Sequence, residues 1–181
     1  MAEREIAPLG PGDHVRGADG AELELVMYGD FECPYCAAAQ SIVARVRDRL
    51  GERLRFAFRH FPLEDVHPHA LRAAEAAEAA AAQDAFWEMH DALYGARGRL
   101  AERDLVALAR ALGLDAGRVT AELTAGVHSE RVRRDLAGGR AAGVTGTPAF
   151  FVNGVRLGGA FDAGSLVDAL SATAAERAAS A

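Results

Sequence analysis

The sequence contains no lysine and only two cysteines among its 181 residues, so all twenty basic residues are arginine. Without lysine the chain can form neither a Schiff base on a lysine amine nor a phosphate-binding loop of the G-x-x-x-x-G-K type. Two cysteines are also too few for a disulfide-stabilised scaffold. Any cysteine chemistry must therefore depend on a single pair of thiols.

Positive charge and long apolar runs are also scarce. The net charge of −6 argues against a nucleic-acid-binding protein, which needs a basic surface. We find no run of 18 apolar residues that would span a membrane. The first residues lack the basic start and apolar stretch of a secretory signal. If Met1 is the native start, these features predict a cytoplasmic protein without a membrane partner.

The two ends of the chain carry the strand patterns. The apolar run from Leu23 to Tyr28 and the alternating run from Leu54 to Arg59 flank a helix that Pro34 opens and Gly51 ends. This order predicts a strand–helix–strand unit whose strands pair in parallel. A further short strand is expected over residues 14–16.

The middle of the chain is rich in alanine, arginine and glutamate and shows no strand pattern. Residues 67–142 therefore predict an all-helical subdomain, with Asp104 as the cap of a helix over residues 105–112. Strands return at 149–152 and 155–157, and Asn153-Gly154 between them is typical of a hairpin. Asp162 then caps a last helix.

Both cysteines lie in the segment Cys33-Pro34-Tyr35-Cys36. Cysteines three residues apart at a helix start face the same side and can close a small disulfide. The helix dipole favours a thiolate on Cys33, and thiolates attack disulfides. Cys36, one turn further and more buried, would then resolve the mixed disulfide.

Two other interpretations of this pair remain open. One is half of a zinc site, with His67 and His69 as the remaining ligands, although structural zinc usually takes two Cys pairs. The other is a pair of inert core thiols, against which the position after a strand and at a helix start argues. We predict no metal and no cofactor.

A second motif, Gly146-Thr147-Pro148, precedes the hairpin. Proline cannot donate to a strand ladder, so Pro148 must begin the strand or adopt the cis form. Taken alone, the motif indicates only a loop before a strand.

Taken together, these segments resemble the thioredoxin fold, and the long helical insert resembles its DsbA-like branch of thiol-disulfide oxidoreductases. The similarity covers residues 13–176 and includes the segments at 28–36, 58–62, 86–90 and 146–154. It implies an α/β thioredoxin fold, a mixed sheet flanked by helices, with an inserted all-helical subdomain. The implied boundaries are 13–64 for the first part of the thioredoxin domain, 65–142 for the insertion and 143–176 for the second part.

The resemblance implies roles for five residues. Cys33 matches the nucleophile, Cys36 the resolving cysteine, and the two together the redox disulfide. Thr147 and Pro148 match the substrate-binding loop, with Pro148 as a cis-proline and the Thr147 backbone pairing with an extended peptide. Tyr35, between the cysteines, is a further candidate for substrate binding.

Two positions depart from the family pattern. Many members have a buried acid where this chain has Met27. In this chain Asp30, Glu32 or water would have to take the proton of Cys36 in its place. Strongly oxidising members have histidine where this chain has Tyr35. Because Asp30 and Glu32 also place negative charge near Cys33, we expect a less oxidising disulfide.

We therefore predict a protein disulfide oxidoreductase or isomerase that exchanges its dithiol with protein or peptide disulfides. Having no third cysteine, it needs a separate redox partner to recycle its disulfide. We expect a monomer or weak dimer. The alternatives are a peptide-binding or redox-sensing module without turnover, and a glutathione-dependent enzyme of the same fold, although such enzymes usually lack the second cysteine.

Overall fold

The computed structural model describes residues 5–159 and 161–179, with side chains as far as residue 172. The chain forms two compact units. The first, which we call the sheet unit, comprises the chain up to Tyr28, residues 38–59 and the chain from Gly138 onward. The second, the helical unit, comprises residues 29–37 and 60–137, and it contains both cysteines.

Five strands form one mixed sheet in the order β1-β3-β2-β4-β5. Antiparallel pairing joins β1 to β3, β2 to β4, and β4 to β5. The strands are β1 (His14–Arg16), β2 (Leu23–Gly29), β3 (Leu54–His60), β4 (Ala149–Val152) and β5 (Val155–Arg156). All five were predicted, and the differences are single residues at strand ends.

The central strand β2 is buried at every one of its seven positions, which explains its nearly continuous apolar run. Its one charged residue, Glu24, is accommodated by specific contacts. The backbone N–H of Glu24 donates to the side-chain oxygen of Asn153 at 2.9 Å, and its carboxylate accepts from Arg55 at 2.9 Å.

The hairpin between β4 and β5 turns at Asn153-Gly154, as predicted. Both residues have positive φ, +48° for Asn153 and +89° for Gly154. A two-residue hairpin turn of this type requires left-handed backbone at both positions, which asparagine and glycine adopt at low cost. The turn therefore fixes the register that pairs Phe151 with Arg156.

Seven α-helices lie within the described residues, and none of them is both long and apolar enough to cross a membrane. They are α1 (Pro34–Leu50), α2 (Ala70–Ala81), α3 (Phe86–Gly95), α4 (Glu102–Ala111), α5 (Ala116–Ala125), α6 (Ser129–Ala141) and α7 (Ala163–Ala179).

The predicted caps have different outcomes. Asp162 caps α7, since its carboxylate accepts from the N–H groups of Gly164 and Ser165. Asp104 does not cap α4, because that helix begins earlier, at Glu102, and leaves Asp104 in the first turn. An acidic side chain there still interacts favourably with the helix dipole, which accounts for its place in the sequence.

The helical unit is organised around α2, which packs against α3 and α5. Nine of its twelve residues are buried, and seven of those nine are alanine. Small side chains let the neighbouring helices approach closely. The two buried acids of α2, Glu75 and Glu78, have partners within the unit: Ser129 and Arg72 for Glu75, and His60 for Glu78.

A buried ion pair fastens the N-terminal segment to the sheet unit. The Arg59 guanidinium of β3 donates to both carboxylate oxygens of Asp13, at 2.8 and 3.0 Å, and to the carbonyl of Ala7 at 3.1 Å. Burial alone would lower the pKa of Arg59, but its hydrogen bonds to Asp13 and Tyr28 raise it above the ordinary value. The charge on Arg59 is therefore permanent.

Candidate active site

The cysteine pair lies at the start of α1 in the helical unit. The carbonyl of Cys33 accepts the hydrogen bond from Ala37 at 3.1 Å, so Cys33 is the N-cap residue and Pro34 the first helical residue. Both cysteines are buried, with 3% of Cys33 and none of Cys36 exposed. Tyr35 between them is 72% exposed and marks the side that faces solvent.

Asp30 anchors the loop that leads into the cysteine pair. One carboxylate oxygen accepts from the N–H of Glu32 at 2.8 Å, and the other accepts from the N–H of Leu63 at 2.9 Å and lies 2.8 Å from His67 Nδ1. The Asp30 side chain is fully buried. Together with the hydrogen bond from the Cys33 N–H to the Asp30 carbonyl, these contacts fix the backbone immediately before Cys33.

His67 is the charged partner that the sequence did not reveal. Burial opposes its protonation, but the hydrogen bond to Asp30 and the negative charges of Asp30, Cys33 and Glu32 together raise the pKa of His67. The His67 side chain is only 20% exposed. Asp30 therefore does not act on Cys33 as an uncompensated negative charge, contrary to the argument from sequence.

Glu32 has a structural role on the same loop. Its carboxylate accepts the N–H of His69 at 2.7 Å, directly before α2 begins at Ala70. The loop before Cys33 is thereby tied to the segment that leads into α2. Both acids of this loop thus act first as acceptors for backbone N–H groups.

Tyr94, on α3, completes the surroundings of the cysteine pair within the helical unit. Its ring packs against the rings of Phe31 and His90, each with its centroid 5.0 Å away. Burial, with the nearby charges of Cys36, Asp30 and Cys33, raises the pKa of Tyr94 well above the ordinary value for a phenol.

Tyr94 was missed in the sequence, where it was only one of several apolar residues at helical spacing on α3. The Phe31 ring, three residues before the proline of the motif, contacts it directly. No pattern in the sequence reports a contact between residues that are 63 positions apart. The only available signal was that Phe31 and Tyr94 are both aromatic.

His60 and His90 are buried within the same unit. His60 Nε2 lies 2.7 Å from the carboxylate of Glu78. The backbone N–H of His60 donates to the carboxylate of Asp135 at 3.0 Å. His90 Nδ1 lies 2.7 Å from Asp91, and the His90 ring packs against Trp87. Both rings are buried, and each lies within hydrogen-bond distance of a carboxylate.

Thr147 and Pro148 belong to the sheet unit. The peptide bond between them is cis, and β4 begins at the next residue. Pro148 lines a surface cavity of about 260 Å³ within this unit, together with Arg156 and Phe161. Arg156 is held by a hydrogen bond to the carbonyl of Gly143 at 2.5 Å.

Met27 is fully buried in β2, and its sulfur lies 3.9 Å from the side-chain nitrogen of Gln40. The position where many relatives have an acid is thus occupied here by an apolar side chain. A carboxylate-based proton path through this position is not available to the chain.

Comparison with known proteins gives a consistent result. The thioredoxin family profile matches residues 10–172. A thioredoxin-like oxidoreductase from Silicibacter pomeroyi is 28% identical, with a TM-score of 0.80 and 95% of each chain covered. BdbD from Bacillus subtilis shares the fold at 20% identity and a TM-score of 0.78, with 91% of this chain and 92% of that one covered.

Much longer proteins also match. A segment of the Na⁺/H⁺ antiporter NhaA 1 of Salinispora arenicola is 45% identical over 170 residues, or 92% of this chain. The antiporter NhaA of Herminiimonas arsenicoxydans is 44% identical over 161 residues. The chain spans only about a quarter of the length of these relatives.

Proposed function

The chain belongs to the thioredoxin family, and from this premise we propose that it is a DsbA-like thiol-disulfide oxidoreductase in which Cys33 and Cys36 exchange a dithiol with disulfides of protein substrates. The observation that carries the proposal is the placement of the pair at the N-terminus of α1, on a loop fixed by Asp30. Helix N–H groups at this place stabilise a thiolate on the N-cap residue.

The reaction proceeds in two exchanges. The Cys33 thiolate attacks a substrate disulfide, forming a Cys33–substrate bond and releasing the other substrate sulfur as a thiolate. Cys36, after losing its proton to solvent, attacks the Cys33 sulfur, closing the Cys33–Cys36 disulfide and releasing the second substrate sulfur. The substrate gains two electrons and the protein loses two. A separate dithiol partner then reduces the protein.

Thr147 and Pro148 provide the substrate-binding loop in this proposal. An extended peptide would pair its backbone with that of Thr147, as in strand addition. Tyr35, which is largely exposed, is a separate candidate for contact with a substrate. Recognition of the peptide backbone at Thr147 would depend little on the substrate sequence.

The direction of electron flow depends on the redox potential and on the compartment. Because Tyr35 cannot act as a cation, we expect the disulfide to be less oxidising than that of members with histidine there. His67 supplies part of the missing positive charge. We therefore expect a redox potential between that of members with histidine at this position and that of members without a cation near the first cysteine. In a reducing compartment the protein would act as a reductase or isomerase.

The test is dithiol-dependent reduction of insulin by the wild type, Cys33→Ser and Cys36→Ser, with Ser41→Ala on the exposed face of α1 as the matched control. We expect Cys33→Ser to lose all activity, Cys36→Ser to accumulate mixed disulfides and Ser41→Ala to match the wild type. If the wild type reduces insulin no faster than the double cysteine variant, the enzyme proposal fails and a binding or sensing module is favoured. Activity with glutathione alone would favour the glutathione-dependent alternative.

A second candidate function follows from the 45% identity to a segment of a Na⁺/H⁺ antiporter. In that protein a segment similar to this chain is part of a transporter, and we propose a membrane transporter as a candidate substrate of this chain. Cys36→Ser, expressed in cells, would trap such a substrate as a mixed disulfide, to be identified by mass spectrometry. Trapping of soluble proteins only would count against this candidate.

A further inference from the structure

We propose that the surface cavity beside Pro148 is a subsite for an acidic side chain of the substrate, and that Arg156 is the residue that selects it. This inference rests on the proposed function, in which Thr147 and Pro148 bind an extended peptide. Recognition of a peptide backbone does not distinguish sequences, so selectivity at this loop has to come from a side-chain pocket. The substrate class is then proteins with an aspartate or glutamate near the exchanged cysteine.

The cavity has the size of a side-chain pocket. Its volume is about 260 Å³, and Pro148, Phe150, Arg156 and Phe161 are among the residues that line it. Pockets that enclose whole small molecules usually measure about 300–1,000 Å³. Because Pro148 belongs both to the cavity and to the substrate-binding loop, a peptide held at that loop can place one side chain in the cavity.

Arg156 is fixed at one nitrogen and keeps its other donors. Its Nη1 donates to the carbonyl of Gly143 at 2.5 Å. The turn that carries this carbonyl is itself held, since the N–H of Val144 donates to the carbonyl of Gly139 at 2.9 Å. A guanidinium has five N–H donors, so Nε and Nη2 remain for a carboxylate, which such an edge binds through two parallel hydrogen bonds.

The charge of Arg156 has no acidic partner. Within the part of the chain whose side chains are described, no carboxylate pairs with Arg156. The nearest acid in sequence is Asp162, and its carboxylate accepts from the N–H groups of Gly164 and Ser165 at 2.7 and 2.9 Å. That carboxylate is engaged in capping α7, which leaves the guanidinium to an acid from another molecule.

Two aromatic rings supply the apolar part of the cavity. Phe150 and Phe161 both line it, and their rings pack edge to face with centroids 4.8 Å apart. Apolar walls suit the methylene groups of an acidic side chain, whose carboxylate then meets the guanidinium. A basic side chain in the same place would bring its charge against Arg156, which like-charge repulsion disfavours. The cavity therefore distinguishes acidic from basic side chains.

The experiment measures reduction of short disulfide-linked peptides by the full chain. Each peptide is blocked at both ends, so that one glutamate is its only carboxylate, and this glutamate is moved one position at a time along both sides of the cysteine. A peptide with glutamine at the same position is the matched partner. At the best position we expect a KM about fivefold lower for glutamate at low salt, as for an ion pair that solvent reaches, with kcat unchanged.

Charge effects of the whole protein work in the opposite direction. The net charge of −6 repels acidic peptides at long range, so a preference for glutamate has to arise from a local contact. Added salt should reduce the preference, because it screens an exposed ion pair.

Two variants test whether Arg156 causes the preference. Arg156→Gln should remove it, and Arg156→Glu should reverse it, so that a lysine peptide has a lower KM than the glutamate peptide. Arg49→Gln is the matched control and should keep the full preference. It removes the same charge from the last turn of α1, at an exposed position of the sheet unit that does not line the cavity.

The outcomes separate this proposal from the proposed function. A preference for glutamate that is lost in Arg156→Gln and kept in Arg49→Gln supports the subsite. Equal KM values for glutamate and glutamine at every position, or a preference that persists in Arg156→Gln, overturn it. If no peptide is reduced at all, the proposed function fails. The subsite is then decided by binding of S-methylated peptides to the chain carrying Cys33→Ser and Cys36→Ser, where equal dissociation constants for glutamate and glutamine overturn it.

Discussion

Each compact unit contains a buried aspartate that fastens a loop, and the two aspartates have different partners. In the sheet unit Asp13 is paired with Arg59, and in the helical unit Asp30 is paired with His67. Both pairs are close, at 2.8 Å. The first cation is charged at every pH at which the protein folds, while the second can lose its charge near neutrality.

The difference distinguishes an ion pair with a purely structural place, Asp13–Arg59, from one that lies beside the cysteines, Asp30–His67. A permanent ion pair suits the N-terminal segment, which Arg59 holds against β3. The loop before Cys33 instead has a cation whose charge responds to pH and to the neighbouring thiolate. We infer that the charge of His67 beside the cysteine pair varies with conditions, whereas the charge of Arg59 does not.

Breaking the permanent pair should have the largest effect on stability. Arg59→Met leaves the Asp13 carboxylate, only 11% exposed, without its cation, and we expect a loss of about 3–5 kcal/mol in the free energy of unfolding. Urea denaturation measures this. The control is Arg53→Met, which breaks the exposed pair with Glu22 and should cost at most about 1 kcal/mol. Equal losses in the two variants would remove the contrast between a buried and an exposed pair.

Breaking the contacts of Asp30 should lower the free energy of unfolding less than Arg59→Met does, but it should lower the activity more. Asp30→Asn keeps a single acceptor oxygen, so one of the N–H groups of Glu32 and Leu63 loses its partner, and we expect a loss of about 2 kcal/mol. Insulin reduction should fall more steeply than stability, since the loop before Cys33 loosens. Asp48→Asn, at an exposed position of α1, is the control. Activity at the wild-type level in Asp30→Asn would mean that the loop needs no clamp.

The adjustable pair should make stability depend on pH with a definite sign. Because Asp30 raises the pKa of folded His67, the stabilisation is fully present below the unfolded value of about 6.5 and is lost as the pH rises through the raised folded value. The free energy of unfolding should therefore fall as the pH rises above about 6.5, and His67→Gln should flatten that part of the curve. If the slope of the free energy of unfolding against pH persists in His67→Gln, another group causes it. His69→Gln is the control.

The smallest effect on stability is expected at the exposed residue between the cysteines. Tyr35→Ala should change the free energy of unfolding by no more than about 0.5 kcal/mol, because Tyr35 is 72% exposed. It should nevertheless raise the KM for insulin if Tyr35 contacts the substrate. Val127→Ala, at another exposed apolar residue, should change neither quantity. An unchanged KM in Tyr35→Ala would remove Tyr35 from the substrate-binding residues.

The sequence predicted the sheet unit better than the helical unit. Strand alternation, the Asn153-Gly154 turn and the Asp162 cap are local signals, and each was confirmed in the structure. The start of α4 was misplaced because Asp104 has the chemistry of a cap at a position inside the helix. Propensity alone does not distinguish an acid at the cap from an acid in the first turn.

The candidate site was predicted only where neighbours in sequence define it. The cysteine spacing places Cys33 and Cys36 on one helix turn, and this the sequence shows directly. His67 and Tyr94 reach the same place from 34 and 58 positions beyond Cys33 and Cys36, through the packing of the helical unit. Both residue types are common at surfaces and in cores, so nothing in their local pattern distinguishes a residue that contacts the site from one that does not.

The alanines of α2 have a consequence for how this protein can evolve. At seven buried positions the side chain is already a single methyl group, so nearly every substitution adds volume to a packed interior. Mutations there offer few neutral steps, whereas an exposed residue outside the site, such as Val127, offers many. Variation among descendants of this chain should therefore collect at such exposed positions, while α2 stays almost unchanged.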